Sequence, residues 1–128
     1  MGTGLAALLA ASDRWREAAR GDAQLSALRR GAHLDLALSD GESSVGLSIT
    51  SEHVLPVSDP SVTLVAPREA WNQLLSHDPE PSMHHFLAMR MRVAGTRVDG
   101  DELAFAQHAA PIRRLLELAR EVVDAPIA

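Results

Sequence analysis

The sequence has no cysteine, no lysine and no tyrosine, and only four aromatic side chains in 128 residues: Trp15, Trp71, Phe86 and Phe105. Without cysteine there is no disulfide, no thiol nucleophile and no thiolate metal site. So few aromatic faces argue against a platform that stacks bases or sugars. All twelve cations are arginine, and seventeen acids outnumber them to give a net charge of −5. That balance lacks the basic footprint that neutralises phosphates, so no nucleic-acid partner is expected. Long apolar runs are missing too. The stretch from Leu5 to Ala11 falls far short of the ~20 residues that cross a bilayer, so no transmembrane segment is expected. The residues before Leu5 carry no positive charge, and Arg14, Trp15 and Arg16 continue a helical pattern straight afterwards, unlike a signal peptide. Ala6 stands where a myristoylation motif needs Ser or Thr. A cytoplasmic location is the expectation.

What is present is globular: 46% hydrophobic and 23% charged residues, at a length that suits one core. We read 1–128 as a single domain, with an N-terminal amphipathic helix over 1–20, a core over about 22–123 and a tail or truncated linker over 124–128. Leu5, Leu8, Leu9, Trp15 and Ala19 form one helical stripe; Gly21 and Asp22 end that helix and cap a second, Ala23 to Arg30. Leu34, Leu36 and Leu38, then Val45, Leu47 and Ile49, alternate with polar or small residues around an Asp40-Gly41 turn, which predicts a hairpin. Two shorter strands are expected near His53 to Val57 and Ser61 to Val65. Pro67 opens a helix bearing Trp71, Leu74 and Leu75, and Ser82 can cap a short turn through Met83 to Leu87. Met89, Met91 and Val93 alternate with Arg90 and Arg92, predicting a fifth strand that Gly95 ends. A helix with Leu103 and Phe105 follows, broken at Pro111, and Ile112, Leu115, Leu116, Ala119, Val122 and Val123 give the strongest amphipathic stripe. Strands grouped between helices predict an α+β fold, with helices on one face of a mostly antiparallel sheet.

Taken in order, Ser61-Val62-Thr63-Leu64, the helix with Trp71, Leu74 and Leu75, the proline-bounded gap, the segment Met89 to Gly95 and the helices running to Arg120 resemble the sterol carrier protein type 2 family. The resemblance covers about residues 33–123. It implies a mixed five-stranded sheet covered by helices, with an apolar tunnel that takes sterols, fatty acids or fatty acyl compounds. The sequence departs from the animal pattern in lacking phenylalanine-rich tunnel walls, and in the longer step Thr96-Arg97-Val98 after Gly95.

The candidate ligand-binding residues are Trp71, Leu74, Leu75, Met83, His84, Phe86, Leu87, Met89, Met91 and Phe105, a methionine-rich wall that can adapt to apolar shapes. Residues 78–87 are expected to form one rim of the opening, with His84 or His85 offering a polar contact to a head group. The ordinary alternative is that these side chains fill the core. No catalytic, metal or cofactor set is expected. The adjacent His84 and His85 point about 100° apart on a helix, which does not suit a single metal, and no serine stands in a nucleophile elbow. A histidine–carboxylate pair of His84 and Asp78 is the one arrangement that could serve acid–base chemistry. His108 reads as a helix-end residue facing last-turn carbonyls. Arg29, Arg30, Arg90, Arg92, Arg97, Arg113 and Arg114 could meet an anionic head group, though pairing with surface acids is the commoner fate. The function that follows is binding of an apolar small molecule, lipid, fatty acyl or sterol-like, in a pocket between sheet and helices. The alternative is an accessory domain of a larger enzyme, gathering substrate or dimerising, with a homodimer or a fused catalytic domain as partner and Leu5, Leu8, Leu9 and Trp15 as its contact surface.

Overall fold

In a computed structural model, which describes residues 4–76 and 85–124, helices α1 (Gly4–Ala10), α2 (Ser12–Gly21) and α3 (Ala23–Leu28) lead into strands β1 (His33–Ser39), β2 (Ser44–Thr50), β3 (Val54–Leu55) and β4 (Val62–Val65). Helices α4 (Arg68–Leu74) and α5 (Phe86–Arg92), strand β5 (Arg97–Gly100) and helices α6 (Glu102–Gln107) and α7 (Ala109–Asp124) complete the chain. The sheet runs β3-β2-β1-β4-β5; β1 and β4 are parallel and every other pair is antiparallel. It is the expected α+β arrangement with a mixed five-stranded sheet.

The register explains the layer. Leu34, Leu36 and Leu38 stand opposite Ile49, Leu47 and Val45, while Leu36 and Leu38 also neighbour Val62 and Leu64. Period-2 alternation therefore puts these eight side chains on one face, where they are buried under the helices. The opposite face carries Asp35, Ser48 and Thr63, and Asp35 accepts a hydrogen bond from the Ser48 hydroxyl. Residues 56–61 cross that face, because β3 and β4 are separated by β2 and β1, three strand spacings or about 14 Å. Gly46 makes the crossing possible: a Cβ there would lie 2.7 Å from Val57 Cγ1 and 2.2 Å from the Leu36 carbonyl oxygen.

Polar tethers hold the helices to one another and to the sheet. The Trp15 indole N–H donates to the Leu115 carbonyl at 2.9 Å, and that of Trp71 to the Ser39 carbonyl at 2.8 Å. Asp22 caps α3 by accepting from the Leu25 N–H and is gripped by Arg114 of α7 at 2.7 and 2.9 Å. The Arg114 hydrogen bonds hold the Asp22 carboxyl below the usual carboxylate range. Arg120 Nε donates to the Leu74 carbonyl, satisfying the open end of α4.

Three sequence expectations need correction. Met89, Met91 and Val93 are not a strand; they lie on α5 and the residue that ends it. Phe86, Met89 and Val93 stand at i, i+3 and i+7 and pack on the core, so helical periodicity prevails over the coincident alternation, and Met91 is left 86% exposed. The fifth strand is instead the long step after Gly95: Val98 pairs with Leu64. The second correction concerns the N-terminus. The helix divides at Ala11, and Leu5, Leu8 and Trp15 are buried core rather than a contact surface; Leu9 alone of that set is exposed. At Pro111 the expected break falls earlier, at His108, and the proline sits in the first turn of α7 where its missing N–H costs nothing.

Candidate functional site

The layer of helices is not closed everywhere. A cavity of about 380 Å³ lies among α5, α6 and α7. Its apolar wall comprises Phe86, Leu87 and Ala88 from α5, Phe105 from α6, and Ala109, Ala110, Ile112 and Leu116 from α7. The size falls within the 300–1,000 Å³ typical of small-molecule sites. His85, Arg113, Glu117 and Arg120 add the polar groups.

Each wall has a local cause. Asp101 caps α6 by accepting from the Ala104 N–H, which presents Phe105 to the interior. His108 ends α6, its Nδ1 2.8 Å from the Ala104 carbonyl, and α7 starts in a new direction at Ala109. The pair Ala109-Ala110 supplies little bulk at that corner. On α7, Ile112, Leu116 and Arg120 recur at i, i+4 and i+8, so one line of the helix faces the cavity. On the far side, Phe86 stacks on Trp71 with centroids 5.9 Å apart and meets Phe105 edge-on at 6.1 Å. Arg90 covers the outer face of Phe105 at 5.7 Å and pairs with Glu102. Three of the four aromatic side chains thus form one contiguous cluster, of which Phe86 and Phe105 face the cavity.

The polar edge is unevenly paired. Arg114 is committed to Asp22 and to Glu117 at 3.2 Å. Arg113 donates through Nη2 to His85 Nε2 at 3.2 Å and stands 3.9 Å from Glu117. Among the described residues no cluster of three His, Asp or Glu could hold a metal ion. Nor is any helix among them long and apolar enough to cross a membrane.

No protein-family model matches the sequence, and no curated protein matches it. Solved structures do. The crystal structure of sterol carrier protein 2 superposes on this chain with a TM-score of 0.68, covering 88% of this chain and 95% of that one at 16% identity. The chain has the sterol carrier protein 2 fold. A conserved hypothetical protein from Thermus thermophilus, described as "possibly sterol carrier protein", matches at a TM-score of 0.51 and 19% identity over 93% of this chain and 83% of its own. A protein described as "UbiJ-SCP2 Ubiquinone synthesis protein" matches at 0.53 and 15% over 90% and 96%.

Within this sterol carrier protein 2 fold, the ten sequence candidates divide. Phe86, Leu87 and Phe105 line the cavity. Trp71, Leu74, Leu75 and Met89 are buried in the core behind it, with Trp71 one ring away through Phe86. Met91 faces solvent. Met83 and His84, like Asp78, lie outside the described residues, so of the expected rim only His85, Phe86 and Leu87 can be located, and all three line the cavity. The cavity lies among helices rather than against the sheet, where the pocket was expected. Sequence reasoning named Arg113 among the arginines that could meet an anionic head group but missed the rest of the α7 wall, Ala109, Ala110, Ile112, Leu116, Glu117 and Arg120, because an apolar stripe on the last helix reads as core. Arg120, placed at the end of the Ile112–Leu116 line, was the available signal.

Proposed function

We propose that this chain binds an apolar small molecule, a lipid, fatty acyl or sterol-like compound, in the cavity between α5, α6 and α7. The observation that carries this reading is an open space of about 380 Å³ walled by Phe86, Phe105, Ile112 and Leu116, beside a core in which most of the other buried apolar side chains pack into one cluster. The likeness to sterol carrier protein 2 and to a protein described as possibly a sterol carrier protein supports the same reading. The driving force is removal of apolar ligand surface from water, worth about 25 cal/mol per Å². It needs no charge, so affinity for a neutral ligand is insensitive to salt.

Because Phe86 both lines the cavity and stacks on Trp71, occupancy alters the surroundings of the indole. Titration with dodecanol, followed by tryptophan emission, gives a saturable change whose midpoint does not move with added salt. In a Trp71→Phe background the change is lost while calorimetric binding persists. No saturable response, and no rise in melting temperature with dodecanol, sterols or fatty acids, would refute the reading.

A further inference from the structure

The polar edge of the cavity holds a cation whose hydrogen-bonding capacity is mostly unspent. Guanidinium carries five N–H donors. In Arg113 a single one is donated among the described residues, to His85 Nε2, and the Glu117 carboxylate at 3.9 Å is beyond hydrogen-bond reach. Glu117 is drawn instead to Arg114, one residue along α7, which is already gripped by Asp22. The other arginine on this line, Arg120, is spent on the Leu74 carbonyl through Nε. Elsewhere Arg90 of α5 is matched with Glu102 and Arg97 of β5 with Asp99. Arg113 differs in that its hydrogen-bonded partner is a histidine ring, while its acid, Glu117, stands off at 3.9 Å.

We propose that Arg113 is the head-group anchor of the cavity and makes it selective for single-chain amphiphiles ending in a carboxylate; this rests on the apolar-ligand reading above. Arg113 projects from the same turn of α7 as Ile112, so a chain lying along Phe86, Phe105, Ile112 and Leu116 ends beside its guanidinium. The planar fork binds a carboxylate through two parallel N–H donors, a geometry no alcohol reproduces. A single guanidinium matches a single negative charge. The Glu117 carboxylate nearby repels a second, which disfavours a dianionic phosphate head. His85 keeps the guanidinium aimed across the cavity edge, and its Nε2 lone pair is released when the ligand takes the Nη2 donor.

The test compares dodecanoate, dodecanol and dodecyl phosphate by isothermal titration calorimetry, at a pH where the acid is ionised, on the protein and on Arg113→Gln. The protein binds dodecanoate at least about tenfold more tightly than dodecanol, and dodecyl phosphate no more tightly than dodecanoate. Arg113→Gln brings dodecanoate to within about threefold of dodecanol, and an unchanged circular dichroism spectrum and melting transition show that the variant is folded. Equal affinity for acid and alcohol in the unmutated protein, survival of the preference in the variant, or preference for the phosphate overturns the proposal while leaving the apolar-ligand reading intact. Binding of none of the three overturns both.

Discussion

Filling the cavity with protein should strengthen the fold and weaken ligand binding, and Ala88→Leu separates the two effects. Ala88 sits on α5, half-buried, with its side chain on the cavity wall. Leucine is nearly as good a helix former as alanine, so the backbone is little affected. It adds three carbon atoms. Each buried methylene is worth about 0.8 kcal/mol, an upper limit of about 2.4 kcal/mol if all three enter the cavity. At a half-buried position about 1 kcal/mol is the realistic share, which for a domain of this size raises the melting temperature by about 3–5 °C. The same three atoms displace three carbons of ligand. Affinity for a chain that fills the cavity then falls by up to about 2.4 kcal/mol, or about fiftyfold. Thermal unfolding by circular dichroism and calorimetric titration with dodecanol read the two quantities. Opposite signs are the signature. If α5 were packed tightly on α7, the leucine would overpack, and stability would fall by about 1–3 kcal/mol instead. That loss would refute the cavity.

Other consequences concern the frame around the site. Gly46→Ala places a Cβ against the Leu36 carbonyl and Val57, so urea denaturation should show a loss of about 1–3 kcal/mol or no folded protein. Asp22 is a depressed carboxylate: its contribution is fully present above its unfolded pKa of about 3.9 and is lost as pH falls through the lower folded value. Asp22→Asn retains the cap on α3 but loses the charge, so it should cost about 1–2 kcal/mol at neutral pH and flatten the acid limb of the stability curve. Trp15→Phe keeps most of the volume but removes the donor to Leu115, at a cost of about 1–2 kcal/mol in denaturant unfolding with ligand affinity unchanged.

The parts of the fold legible in the sequence were those with a single periodicity. Leu34, Leu36 and Leu38 opposite Ile49, Leu47 and Val45 could be paired from alternation and the Asp40-Gly41 turn alone, and the turn forms as expected, with Asp40 accepting from the Glu42 and Ser43 N–H groups. The helix of Trp71 and Leu74 and the stripe of α7 were equally plain. Residues 86–93 satisfy both periods, and only tertiary packing decides between them: Phe86, Met89 and Val93 find the core together, whereas Met89, Met91 and Val93 on a strand do not. β5 was hidden because Arg97, Asp99 and Gly100 are exposed and Val98 is its one core-facing side chain. The cavity was half legible. Its aromatic side followed from the clustering of Phe86 and Phe105 near Trp71, but its α7 side depends on the angle between α6 and α7 set at His108, which no local pattern encodes.

The central claim is that the space between α5, α6 and α7 receives an apolar chain, and a series of straight-chain alcohols of increasing length tests it most directly. A methylene occupies about the room of a water molecule in the liquid, about 30 Å³, so 380 Å³ accommodates about a dozen such groups. Calorimetric affinity should therefore rise about fourfold with each added carbon and level off near dodecanol. Affinity that ignores chain length, or the absence of saturable binding at any length, would contradict it.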